Sequence, residues 1–144
     1  MLEREDEVKQ FCAAQQATRL HILTMITPLS PRLQRFVLIE RAAEAVLRVC
    51  TDCRLSADLE QGDDAPVAEE TLADFLRRVD GAAAAWDEDA VPDDVLDGLT
   101  IILERATTND YAITHVVAPR ANSPHRRLID AWRTAFPVVG QAFS

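Results

Sequence analysis

The stretch Leu33-Gln34-Arg35-Phe36-Val37-Leu38-Ile39-Glu40-Arg41-Ala42-Ala43-Glu44-Ala45-Val46-Leu47-Arg48-Val49-Cys50 decides how the rest of the chain is read. Leu33, Phe36, Val37, Ala43, Val46, Leu47 and Cys50 recur at three-to-four spacing, the period of an amphipathic helix. Leu38, Ile39 and Val49 widen the apolar side, which predicts a helix at the centre of a core. Ser30-Pro31 supplies its start, with serine as N-cap and proline as the first helical residue.

The same period extends outward in both directions. Residues 5–26 read as a first helix with Val8, Phe11, Cys12, Leu20, Ile22, Leu23 and Ile26 on its apolar side. Thr27-Pro28-Leu29-Ser30-Pro31 ends it, because proline disfavours helix in the residue before it. Beyond a polar loop at 61–66, Leu72, Phe75, Leu76, Val79, Ala82, Ala83 and Trp86 form the stripe of a third helix. Pro92, Asp93 and Asp94 open a fourth, whose buried face runs to Ala106.

Residues 107–118 carry two opposed signals. Thr107 and Asp110 resemble a capping box, whereas Tyr111-Ala112-Ile113-Thr114-His115-Val116-Val117 is rich in strand formers. The segment is read as helix, because a lone strand would have nothing to pair with. Ser123-Pro124 repeats the cap-plus-proline start, and Leu128, Ile129, Trp132, Ala135 and Phe136 line a last helix. The expected fold is all-α: one domain over residues 1–144, a bundle of five or six helices.

The chain of 144 residues has 24 acids against 15 Lys plus Arg, a formal charge of −9. That balance argues against a general nucleic-acid binder, which needs cations to displace phosphate counterions. No apolar run approaches the about 18 residues of a membrane span. The opening MLEREDEVKQ lacks a basic-then-apolar signal peptide, so a soluble cytoplasmic protein is expected. The acidity is local: residues 58–97 hold 14 acids and two bases, Arg77 and Arg78. Glu70, Asp74, Asp80, Asp87, Glu88 and Asp89 in that segment are the candidate partner-binding residues.

Cys50-Thr51-Asp52-Cys53 has the spacing of half a zinc site, which would need Cys12 and His21 as further ligands. At a helix end the dipole opposes thiolate, so ordinary thiols in a reducing compartment, with no metal and no cofactor, are expected. There is no glycine-rich phosphate loop, no EF-hand spacing and no Glu-x-x-His pair. Arg120, His125, Arg126 and Arg127, with the N–H groups after Ser123, form a candidate anion site at a helix start.

Within that cluster, Arg120-Ala121-Asn122-Ser123-Pro124-His125 is similar to the motif of HEPN-domain ribonucleases. The resemblance implies an all-α dimeric toxin in which Arg120 and His125 orient a ribose hydroxyl and stabilise a phosphate transition state. The leading expectation is instead a non-enzymatic helical protein–protein interaction module: an adaptor, an inhibitor or immunity protein, or a factor that blocks a host protein. Its acidic surface would meet a basic protein, or its second helix another copy of the chain. A small-ligand sensor with a pocket near Trp86 and Trp132 is the third reading.

Overall fold

A computed structural model describes residues 3–27, 32–54, 59–89, 99–117 and 122–143, with the side chains of residues 32 and 52–54 outside the description. The fold is mixed α/β, and the all-α bundle is overturned by a six-stranded antiparallel sheet. The chain runs through α1 (Arg4–Ala14), β1 (Arg19–Ile26), β2 (Arg32–Glu40), β3 (Ala45–Arg54), β4 (Asp63–Val67) and α2 (Glu69–Asp80). A 3-10 helix (Ala83–Asp87), β5 (Thr100–Ala106), β6 (Tyr111–Val117), α3 (Pro124–Ala135) and α4 (Pro137–Ala142) follow. The spatial order of strands is β4-β3-β2-β1-β5-β6.

The expected first helix is a short helix followed by a strand. α1 stops at Ala14, and Gln16 takes a left-handed φ of 54°, the conformation that commonly terminates a helix. No glycine marks that stop in the sequence. The chain then enters β1, whose residues from Leu20 to Met25 are all buried. The expected second helix is a hairpin: β2 and β3 pair antiparallel and turn through Arg41–Glu44, where the Arg41 N–H donates to the Glu44 carbonyl at 2.8 Å. Residues 107–117 of the expected 107–118 helix are a turn and a strand, and β5 takes the place of the fourth helix from residue 100 on; residues 92–98 and 118 lie outside the described residues.

One physical cause underlies these differences. The sheet is covered on both faces, so its central strands are apolar at successive positions rather than alternating ones. A continuous apolar run satisfies a period of 3.6 as well as a period of 2. On one face α1 packs Val8, Phe11 and Cys12 against Leu20, Ile22, Val37, Ile39 and Ala106. On the other, α2, α3 and α4 bury Phe75, Val79, Leu128, Ile129, Trp132, Phe136 and Val139 against Leu23, Phe36, Leu38, Leu47, Ile101, Leu103 and Val116.

The centre of that larger layer is aromatic. Phe75 stands edge-on to Trp132 at 5.1 Å and to His21 at 5.2 Å, and Phe136 lies within 5.7 Å of both Phe75 and Trp132. Such edge contacts add about 0.5–1.5 kcal/mol each beyond burial. Of the stripe expected for the third helix, Leu72, Phe75, Leu76 and Val79 lie on α2, which stops at Asp80; Ala82 is in a turn, and Ala83 and Trp86 are on the 3-10 helix. The Ser123-Pro124 start is α3: Ser123 Oγ accepts the Arg126 N–H at 3.1 Å. At the far edge β4 is exposed, carries Pro66, and is tied to β3 by Arg48, whose Nε and Nη2 bind Asp64 at 2.6 and 3.0 Å. Among the described residues, no helix is long and apolar enough to cross a membrane.

Candidate functional site

The six acids expected to meet a partner divide into two groups. Asp74 accepts from Arg78 Nε at 2.8 Å and from Arg77, and these guanidiniums hold its carboxyl below the usual carboxylate range. Asp89 accepts the backbone N–H of His115 at 2.8 Å, which lowers its pKa and caps one outward donor of the edge strand β6. Glu70, Asp80, Asp87 and Glu88 are exposed, and their carboxylates have no ion pair or hydrogen bond among the described residues. Glu70 lies in the first turn of α2 and Asp80 at its end, with Asp87 and Glu88 at the end of the 3-10 helix.

The basic cluster does not assemble as expected. Arg120 lies outside the described residues. Arg126 pairs with Asp130 at 3.3 Å, and Arg127 is exposed on the first turn of α3. His125 is only 6% exposed, and its Nε2 lies 2.7 Å from the Glu88 carbonyl and 3.2 Å from Thr114 Oγ1. Thr114 Oγ1 itself donates to the same carbonyl at 3.0 Å. His125 therefore ties α3, β6 and the end of the 3-10 helix together, and a histidine so placed is not presented to a substrate. The ribonuclease reading and the purely helical interaction module are both withdrawn.

The thiol and tryptophan expectations also change. Cys12 is buried on the α1 side, where burial raises its pKa, while His21 points into the α2 side among Phe75 and its neighbours. The sheet separates these two presumed zinc ligands, and no metal-holding group of three His, Cys, Asp or Glu occurs among the described residues. Cys50 is disulfide-bonded rather than an ordinary thiol, and the Cys53 side chain lies outside the description. Trp132 is 2% exposed inside the aromatic layer, and only Trp86 is near the surface.

Three polar arrangements carry no mark in the helical reading. Glu104, on β5, is buried on the α1 face and is gripped by Arg4 and Tyr111. Glu40, on β2, takes both Nε and Nη2 of Arg19, at 2.8 and 3.1 Å, while the buried His21 Nδ1 stands 3.5 Å away without hydrogen-bond alignment. Burial alone would raise the Glu40 carboxyl, but His21 and Arg19 draw it below its ordinary value. Third, Arg105 lies over the Trp86 ring at 4.9 Å, beside a cleft that it shares with Arg19. The available signal was a charged residue inside an apolar run, as in Ile101-Ile102-Leu103-Glu104-Arg105.

No protein-family model matches the chain, and no curated protein matches it either.

Proposed function

We propose that this α/β domain is a non-catalytic protein that docks on the basic surface of another protein and does not bind nucleic acid. One contrast carries the reading. His125, Glu104, Glu40 and Arg19 are engaged in holding elements together, whereas Glu70, Asp87 and Glu88 face solvent without a cation and Asp80 lies in the field of Arg19 with no hydrogen bond to it. Unpaired rim charges of one sign speed and orient association with an oppositely charged surface.

A second copy of the chain is the partner favoured by a different observation. Ile26, Ile102 and Ile113 stay half-buried on the sheet face that α1 covers. A light-scattering mass of one chain sets that homodimer aside.

The test of the main reading is a variant carrying Glu70→Gln, Asp80→Asn, Asp87→Asn and Glu88→Gln. Proteins retained from an extract of the source cells are compared between this variant and the native chain, at about 0.15 and 0.5 M salt. A retained protein that is lost both on neutralisation and at high salt supports the reading. Equal retention by the neutralised variant rejects it.

A further inference from the structure

The end of the sheet where β1, β5 and β6 meet holds a cleft of about 390 Å³, lined by Arg19, Arg105, Thr107, Asp110, Tyr111 and two alanines. That volume lies within the range of small-molecule sites, about 300–1,000 Å³.

The ladder explains why two arginines meet there. His21 faces Arg105 and Leu20 faces Ala106 across β1 and β5, so Arg19 and Arg105 are diagonal neighbours on one sheet face. Diagonal positions lie about 7–8 Å apart, close enough for like charges to repel. Glu40 neutralises Arg19 through Nε and Nη2 and leaves Nη1 without a hydrogen bond among the described residues. Arg105 has no carboxylate partner among those residues. It rests instead on the Trp86 ring, a contact that fixes the guanidinium plane without engaging its N–H groups.

Thr107 adds a third donor. Its Oγ1 accepts the backbone N–H groups of Asn109 and Asp110 at 3.2 and 3.0 Å. With both acceptor positions taken, its own hydrogen is left to donate outward. The Tyr111 hydroxyl donates to Glu104, so at the cleft this residue offers only its ring as a wall. Asp110, exposed, is the one acid in the described lining.

We infer that this cleft binds a small phosphate-bearing molecule with a compact apolar body. The Arg105 fork, Arg19 Nη1 and the Thr107 hydroxyl are donors lacking acceptors, and three terminal phosphate oxygens match them better than the two of a carboxylate. Ala106, Ala112 and the Tyr111 ring take the apolar part. The inference rests on different residues from the partner-docking reading, so either stands if the other fails.

Phenyl phosphate titrated into the full chain by calorimetry is the test, with benzoate as the carboxylate comparator. Saturable one-to-one binding is expected, with a change in tryptophan emission as Arg105 shifts on Trp86. Arg105→Gln weakens it at least about tenfold, as loss of a charged hydrogen bond does. Arg105→Lys falls between the two, and Ala112→Leu, which fills the cleft without altering a charge, abolishes binding. Circular dichroism confirms that each variant is folded. No saturable binding, undiminished affinity in both Arg105→Gln and Ala112→Leu, or equal affinity for benzoate overturns the inference.

Discussion

Arg4 and Glu104 are joined by two parallel hydrogen bonds of 2.8 Å each, across 100 positions of sequence. The Glu104 side chain is 1% exposed, and the Tyr111 hydroxyl donates to the same carboxylate at 2.5 Å. Burial and the neighbouring carboxylate push the Tyr111 hydroxyl well above its ordinary pKa. This bidentate grip fastens the start of α1 to the middle of β5, on a face where α1 is the covering helix.

Removing one partner strands a buried charge. Arg4→Leu is expected to lower stability by about 3 kcal/mol, as one-sided breaks of buried pairs do. The double variant Arg4→Leu with Glu104→Leu should lose less than the sum of the two single changes, because an apolar replacement of both charges lifts the desolvation penalty. Urea unfolding of the four proteins checks this. Strict additivity would show that the pair is not coupled.

His21 makes stability depend on pH. Burial lowers its pKa, and Glu40 only partly restores it. A histidine whose folded pKa lies below its unfolded value of about 6.5 binds fewer protons when folded. Its contribution is therefore complete above about pH 6.5 and is lost as the pH falls below that value. Glu40, whose folded pKa is also depressed, loses its contribution at lower pH still, as acid titrates it. The thermal midpoint should fall between about pH 7.5 and 5.5, and His21→Gln should flatten that slope. Parallel profiles for the two proteins would disprove the assignment.

His125→Ala leaves the Glu88 carbonyl without its 2.7 Å contact to Nε2. Thr114 Oγ1 still donates to that carbonyl, so the change removes one of its two hydrogen bonds, a loss of about 0.5–1.5 kcal/mol. His125→Gln, which can still donate, should recover part of the loss. Hydrogen exchange at the edge strand β6 should quicken in His125→Ala and not in Arg127→Ala, since Arg127 is exposed.

Gly62 has a φ of 132°, where side-chain-bearing residues are strained, and a Cβ there would stand 2.7 Å from the Val49 carbonyl oxygen. Gly62→Ala should cost about 1–3 kcal/mol and loosen β4 from β3. Limited proteolysis before β4 would report that loosening. Unchanged cleavage and an unchanged unfolding midpoint would contradict it.

What was legible in the sequence was amphipathic contrast. Phe75 and Val79 are buried while Glu70 and Arg77 are exposed, so α2 could be found from its pattern. Ser123-Pro124 likewise marked α3, because a cap is a local feature. β1, β2 and β3 were not legible as strands by period, since both of their faces are covered. The unused cue was their Phe36-Val37-Leu38-Ile39 and Val46-Leu47-Arg48-Val49 content, which favours a pleated surface. The strand at 111–117 is not alone, because β5 beside it is a strand whose Ile101-Ile102-Leu103 run satisfies the helical period as well.

The candidate sites followed the same divide. Exposed acids such as Glu70 and Asp80 could be picked out by residue type. The pairings of Asp74 and Asp89, and the clamp role of His125, depend on which elements touch. Glu104 and Arg105 were invisible as sites because their meaning comes from Arg4 and Trp86, far off in the sequence.

The strand order has a kinetic consequence. β1 pairs with β2 almost at once in chain order, but its other edge waits for β5, where Ile26 meets Thr100. Until that hairpin has been synthesised, β1 holds an open edge flanked by apolar side chains, and Arg4 has no Glu104 to grip. Pairings of such long sequence separation are slow to form and prone to aggregate while they wait. The nascent chain is thus most vulnerable after β4 emerges and before β5 arrives, and closure of the β1–β5 ladder sets the pace of folding.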